Sequence, residues 1–251
     1  MARLFFYTVF FMGCLVSKFS YSQPPVTIEM GTVMNAAGQP VSDGLMVYGA
    51  ESLKKNVTYA DVKGSPFLND SFRISVVYDQ NDKTIARVKS KINFYNFNLH
   101  FINQNGQELV VGPDLVKKIQ YIDPFDEKKV LQEFSSDVDA LNQKFEKPVF
   151  VQVMNHGDAR LLKYMNRYVG TYDSLMGQFK RYMFITREDY YMQRQETVEP
   201  LRKLNRERVL AFTRYERELS EFATQNKLDF RKENDVVAIL NHLNMITKKL
   251  K

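Results

Sequence analysis

Between residues 72 and 119 apolar and polar positions alternate with a period of two, the pattern of antiparallel strands that bury one face. FRISVVY (72–78) predicts a strand, DQND (79–82) a turn, and residues 84–88 the returning strand. In the longer run KINFYNFNLHFINQNGQELVVG, Tyr95, Phe97, Leu99 and Phe101 fall on one face and Asn96, Asn98 and His100 on the other. Asn105 and Gly106 supply the two positive-φ residues of a type I′ hairpin. Residues 115–119 begin a further element, too short for periodicity to decide whether it is a strand.

Residues 126–147 are polar with sparse apolar positions, and predict a loop with a helical turn or two. They would connect an N-terminal β-rich region (23–125) to a C-terminal region (148–251). Strands resume at residues 149–154, NHGD turns the chain, and residues 159–165 pair back. A third hairpin is expected to join 178–185 to 190–195 across TRED, after a loop at 170–177. The period then changes. In NRERVLAFTRYERELSEFATQN the apolar positions Val209, Phe212, Leu219, Phe222 and Ala223 lie on one helical stripe, with Asn205 and Asn226 as its ends. KENDVVAILNHLNMI repeats the pattern with Val236, Ile239, Leu240, Leu243 and Ile246. Antiparallel hairpins or a meander followed by two C-terminal helices make the expected class α+β.

The N-terminus is of a different kind. One Arg3 precedes an apolar run from Leu4 to Val16, too short for the roughly 20 residues of a spanning helix. Ser20 and Ser22 then stand at −3 and −1 of a cut before Gln23, so residues 1–22 read as an export signal. An uncleaved anchor and lipidation at Cys14 are the alternatives. Cys14 is the single cysteine, so the mature chain would have neither a thiol nucleophile nor a disulfide. The net charge of +6 is uneven. Residues 23–143 carry 12 basic and 15 acidic side chains, residues 144–251 carry 21 and 14. A basic half can meet an anionic partner, although here the charges are interspersed with acids.

Motifs that would fix a chemistry do not occur. GxxxxGK[ST], GxGxxG, HExxH and GxSxG are all missing. His100, His156 and His242 lie on a strand, a turn and a helix, without the close spacing of zinc ligands. DQNDKT (79–84) starts like an EF-hand loop, but lacks the Gly at its sixth place and has Ser90 where the closing Glu belongs, so it reads as a turn. KRYMFITREDYYMQRQ, with Arg181, Tyr182, Tyr190, Tyr191 and Arg194, invites comparison with a base-stacking surface. Alternate aromatics facing a core, with Lys and Arg facing water, is the reading preferred, and no nucleic-acid partner is expected. No catalytic, cofactor-binding or metal-binding residue is assigned, and no cofactor is expected. A pair of carboxylates that meets only in the fold stays open.

Taken in order, the signal, KGSPFLNDSF (63–72), LVKKI, REDYYMQRQ and NKLDFRKENDVVAIL (226–240) resemble a family of exported proteins of unknown function found across Bacteroidota. Its members carry K-G-S-P-[FY]-L-x-x-x-[FW] near the start and K-L-x-[LF]-[KR]-K-E-x-D-[LV]-[IV]-x-[LI]-L near the end. The resemblance implies a periplasmic, outer-membrane-associated or extracellular location and transfers no activity. Asp173-Ser174-Leu175 is similar to the short O-glycosylation acceptor pattern of these bacteria. The functional expectation is a non-enzymatic envelope protein acting by binding, with an envelope protein or an anionic surface as partner. Two alternatives stay beside it: a peripheral module that meets anionic lipid or polysaccharide through its basic half, and a carboxylate-dependent hydrolase of envelope polymers.

Overall fold

The computed structural model describes residues 59–173 and 180–249, together with four short strands upstream: β1 (Val26–Ile28), β2 (Thr32–Asn35), β3 (Pro40–Ser42) and β4 (Leu45–Val47). The expected signal with Cys14, and Ser174 and Leu175 of the acceptor pattern, lie outside the described residues.

A 3-10 turn, Tyr59–Asp61, leads into β5 (Val62–Lys63). The hairpin β6 (Arg73–Tyr78) and β7 (Thr84–Ile92) follows the alternating pattern. Its turn is held by the Asp79 carboxylate, which accepts from the Asn81 and Lys83 N–H groups at 2.9 and 2.8 Å. β8 (Leu99–Ile102), β9 (Glu108–Val111), β10 (Lys118–Ile122) and β11 (Val130–Ser135) continue the meander. Helix α1 (Asp139–Phe145) precedes β12 (Val151–Val153), β13 (Ala159–Asp173), β14 (Lys180–Arg194) and β15 (Thr197–Pro200). Helices α2 (Arg206–Ala211), α3 (Glu216–Gln225) and α4 (Glu233–Lys249) close the chain.

Among the described residues 13 strands form one sheet in the order β15-β14-β13-β12-β11-β10-β6-β7-β8-β9-β2-β3, with β5 beside β14. All pairings are antiparallel except β2 with β9 and β5 with β14. The α+β class expected from the two periodicities is the class observed.

Several elements differ from expectation, each for a local physical reason. The long aromatic run breaks after Ile92. The Asn93 and Asn96 side chains accept from the Tyr95 and Asn98 N–H groups, and Phe97 adopts φ +66°. This asparagine-built turn sinks both Phe94 and Phe97 into the core, where two-residue alternation would have separated them. At the next hairpin Gly106 alone of the pair has positive φ. The Asn103 side chain accepts from the Asn105 and Gln107 N–H groups, so the loop is wider than a type I′ turn. Within 126–147 lie a full strand and a helix. β11 sits between β10 and β12, and carries Phe134 at 0% exposure. TRED does not turn the chain. β13 and β14 pair over 15 positions from Ala159↔Arg194 to Asp173↔Lys180, and Gly170 lies inside the ladder. Polar side chains suit a strand there because they pair with one another: Arg187 meets Asp189 at 2.9 Å, and Lys163 meets Glu188 at 3.0 Å. Finally, the first expected helix is two. Thr213 Oγ1 accepts from the Tyr215 N–H and turns the chain between α2 and α3.

The hairpin β13–β14 separates two cores. Paired residues share a face, and neighbours along a strand face opposite ways. Leu161 and Met192 point to the helices, beside Val209, Leu219, Val236, Ile239 and Leu240. Leu162 and Tyr191 point into the larger core of Ile92, Phe94, Phe97, Ile119, Phe134 and Phe150. Each fully buried side chain of this size contributes roughly 1.5–3 kcal/mol.

Both family-like motifs have structural work. In KGSPFLNDSF, Gly64 takes φ +93°, the Phe67 N–H donates to Ser65 Oγ, and the Leu68 N–H donates to the Ile92 carbonyl at 3.1 Å. The Lys91 ammonium lies 4.1 and 4.3 Å from the ring centres of Phe67 and Phe72, an arrangement of cation–π type. The segment is a corner that clamps β7. In the second motif Lys227 adopts φ +55° and the Leu228 N–H donates to the Ala223 carbonyl, which closes α3. The Asp235 carboxylate accepts from the Asp229 N–H, and Glu233 receives Lys163 and Tyr190 from the sheet.

Candidate binding cleft

The residues singled out in the sequence do not converge. His100 is buried and its Nδ1 lies 2.7 Å from Glu108 Oε1, with Phe67 edge-on at 4.9 Å. His242 stacks flat on Phe222 at 3.8 Å, as a packed helix-face residue does. His156 is exposed in the turn before β13. Among the described residues no three His, Cys, Asp or Glu side chains are grouped to hold a metal ion, and no helix is long and apolar enough to cross a membrane. The aromatic-basic stripe is divided among three clusters: Tyr182 packs with Val62 and Phe184, Tyr190 with the helices and Tyr191 with the large core.

What the fold does assemble is a basic cleft of ≈ 440 Å³, whose walls include Lys144, Arg187, Glu188, Asp189, Arg202 and Lys203. Lys144 comes from the last turn of α1, and the next three from β14. Arg202 and Lys203 come from the link between β15 and α2. That link reads Leu-Arg-Lys-Leu, and its physics is simple. Leu201 and Leu204 are buried in the helical core, at 3% and 8% exposure, so the two cations between them are turned outward. Arg202 takes φ +58° and the Leu201 N–H donates to the Tyr190 carbonyl at 2.8 Å, which fixes the link against β14. A left-handed arginine is a strained conformation, held here by its two buried neighbours.

Tyr191 contributes the floor. Its ring is buried, its hydroxyl accepts from the Lys144 ammonium at 3.0 Å, and the same ammonium lies 4.6 Å from the ring centre. The carboxylates in the walls are already engaged. Asp189 is held by Arg187 at 2.9 Å, and Glu188 by Lys163 at 3.0 Å. Lys144, Arg202 and Lys203 have no carboxylate partner among the described residues. Three uncompensated cations therefore face one concavity, where an anion gains more than it does against scattered surface charge. This geometry suits holding a charged group.

Neither Lys144 nor the Arg202–Lys203 pair could be singled out from the chain, because about 58 residues separate them. The nearest signal was the Leu-Arg-Lys-Leu pattern, whose flanking leucines predict outward cations. The chain matches no protein-family profile, no characterised protein and no solved structure.

Proposed function

We propose that this chain is an exported, non-enzymatic binding module of the bacterial cell envelope that holds an anionic group in the cleft of Lys144, Arg202 and Lys203. One observation carries the reading: these three cations converge without carboxylate partners, while the acids beside them are already paired. The excess of basic residues in 144–251 and the signal-like N-terminus support the anionic partner and the envelope location. The phosphate or carboxylate of an envelope lipid or acidic polysaccharide has the required chemistry.

The test is sedimentation of the mature protein with phosphatidylglycerol vesicles and, separately, with alginate beads, across a salt series. Binding to one of them should fall steeply with salt and be lost in the triple variant Lys144→Gln, Arg202→Gln, Lys203→Gln. The two arms distinguish lipid from polysaccharide. Salt-independent binding, or equal binding by the triple variant, refutes the cleft. A chain found uncleaved in the cytosol on cell fractionation refutes the location.

A further inference from the structure

The corner built by KGSPFLNDSF borders a second cleft, of ≈ 380 Å³, within the range of about 300–1,000 Å³ that small-molecule sites occupy. Its polar wall is made by Ser65, Asn69, Asp70, Arg167 and Thr186. Arg167 and Thr186 are paired across β13 and β14. Thr186 and Arg187 are neighbours on one strand and point to opposite faces, so this cleft is separate from the basic one.

Arg167 is positioned from both ends. Its backbone N–H donates to the Phe94 carbonyl at 2.9 Å, and its guanidinium Nη1 donates to the Ser65 carbonyl. That is the single side-chain hydrogen bond of Arg167 among the described residues, and a guanidinium carries five N–H donors. The side chain is half-buried, and burial draws its pKa below the ordinary arginine value while Asp70 opposes the shift. Asp70 is exposed on the facing loop and makes no ion pair among the described residues. A cation with spare donors and a carboxylate whose charge reaches it thus line the same cleft without a salt bridge between them among the described residues.

This arrangement is selective. A lone anion on Arg167 is repelled by Asp70, and a lone cation on Asp70 is repelled by Arg167. A ligand that carries both charges on one carbon satisfies the two at once, and its carboxylate can take the guanidinium as a planar bidentate partner. We propose that this cleft binds the zwitterionic head of an α-amino acid, its carboxylate on Arg167 and its ammonium on Asp70. The Thr186 hydroxyl and the Asn69 amide are the neutral partners beside them.

Calorimetric titration of the full mature chain with L-alanine, L-glutamate, L-lysine and L-phenylalanine, each alone, tests this. Acetate and ethylamine serve as the two half-ligands. At least one amino acid should bind at millimolar concentration or below, while neither half-ligand does. Asp70→Asn changes an exposed side chain and leaves the Arg167–Ser65 tie intact, so the fold is kept. It should weaken binding by roughly tenfold or more, the worth of one charge-assisted contact. Arg167→Lys should weaken it at least as much, because an ammonium cannot present the planar fork. The absence of heat with all four amino acids overturns the proposal, as does acetate binding as well as they do, or an unaltered affinity in Asp70→Asn.

Discussion

Replacing Gly157 by alanine would put a methyl carbon where Asn244 already sits. A Cβ at this position would lie 2.5 Å from Asn244 Cγ and closer still to Nδ2, and the backbone there has φ +127°. Asn244, on α4, is the side chain that fastens this turn to the helix. Its Oδ1 accepts from the Ala159 N–H at 2.8 Å, and its Nδ2 donates to the Ala159 and His156 carbonyls at 2.9 and 3.1 Å. Alanine at that φ costs about 2 kcal/mol in backbone strain. Displacing the Asn244 amide forfeits these three bonds, worth about 0.7 kcal/mol each and about 2 kcal/mol together. Gly157→Ala should therefore cost about 4 kcal/mol, and Asn244→Ala about 2 kcal/mol. In the double variant the methyl group has nothing left to strike. Its cost should match that of Gly157→Ala alone, about 4 kcal/mol, and not the additive value of about 6 kcal/mol. Urea unfolding of the four proteins, followed by far-UV circular dichroism, measures the cycle. Additive costs would refute the claim that the glycine exists to admit Asn244.

Two further outcomes follow from the way the helices are attached. Burial pushes the Glu233 carboxyl up, but hydrogen bonds from Lys163 and Tyr190 outweigh it and leave the group below its ordinary value. Lys163 is drawn down by burial, yet its contacts with Glu233 and Glu188 push it up to about 12, and burial with the Glu233 contact pushes Tyr190 up to about 12. The depressed carboxyl stabilises above about pH 4.3 and loses its contribution as pH falls through its folded value. The raised Lys163 and Tyr190 stabilise below about pH 10 and lose their contributions as pH rises towards 12. The difference in melting temperature between the native chain and Glu233→Gln should be constant from about pH 5 to about pH 9 and shrink on either side. A difference that persists into strong acid would contradict the ion pair. Asn205, whose Oδ1 accepts from the Arg208 N–H at 2.8 Å, caps the six-residue helix α2. Asn205→Ala should cost about 1 kcal/mol in chemical denaturation and Asn205→Asp should recover most of it, whereas equal losses in the two variants would exclude the cap.

Local periodicity carried the sequence a long way in this protein. The two-residue alternation of 72–78 and 84–88 became β6 and β7, and the stripe Val236, Ile239, Leu240 and Leu243 became the buried face of α4. These elements bury one face each, and the period of a buried face is written in adjacent residues. The strand β11, the unbroken β14 and the turn at Asn93 were not legible. In each, polar side chains are satisfied by partners distant in the chain or by their own backbone, and composition alone cannot tell such a residue from a loop. KGSPFLNDSF lies between these cases: its turn chemistry was readable, but its grip on Lys91 and its place beside Arg167, about 100 residues away, were not. The clefts belong wholly to the tertiary structure. Lys144 shares a cleft with Arg202 and Lys203, and Asp70 shares another with Arg167, because β14 supplies part of the wall of both. Unpaired charge is a property of three-dimensional surroundings, and no count of lysines, arginines and carboxylates along the chain records which of them have found each other.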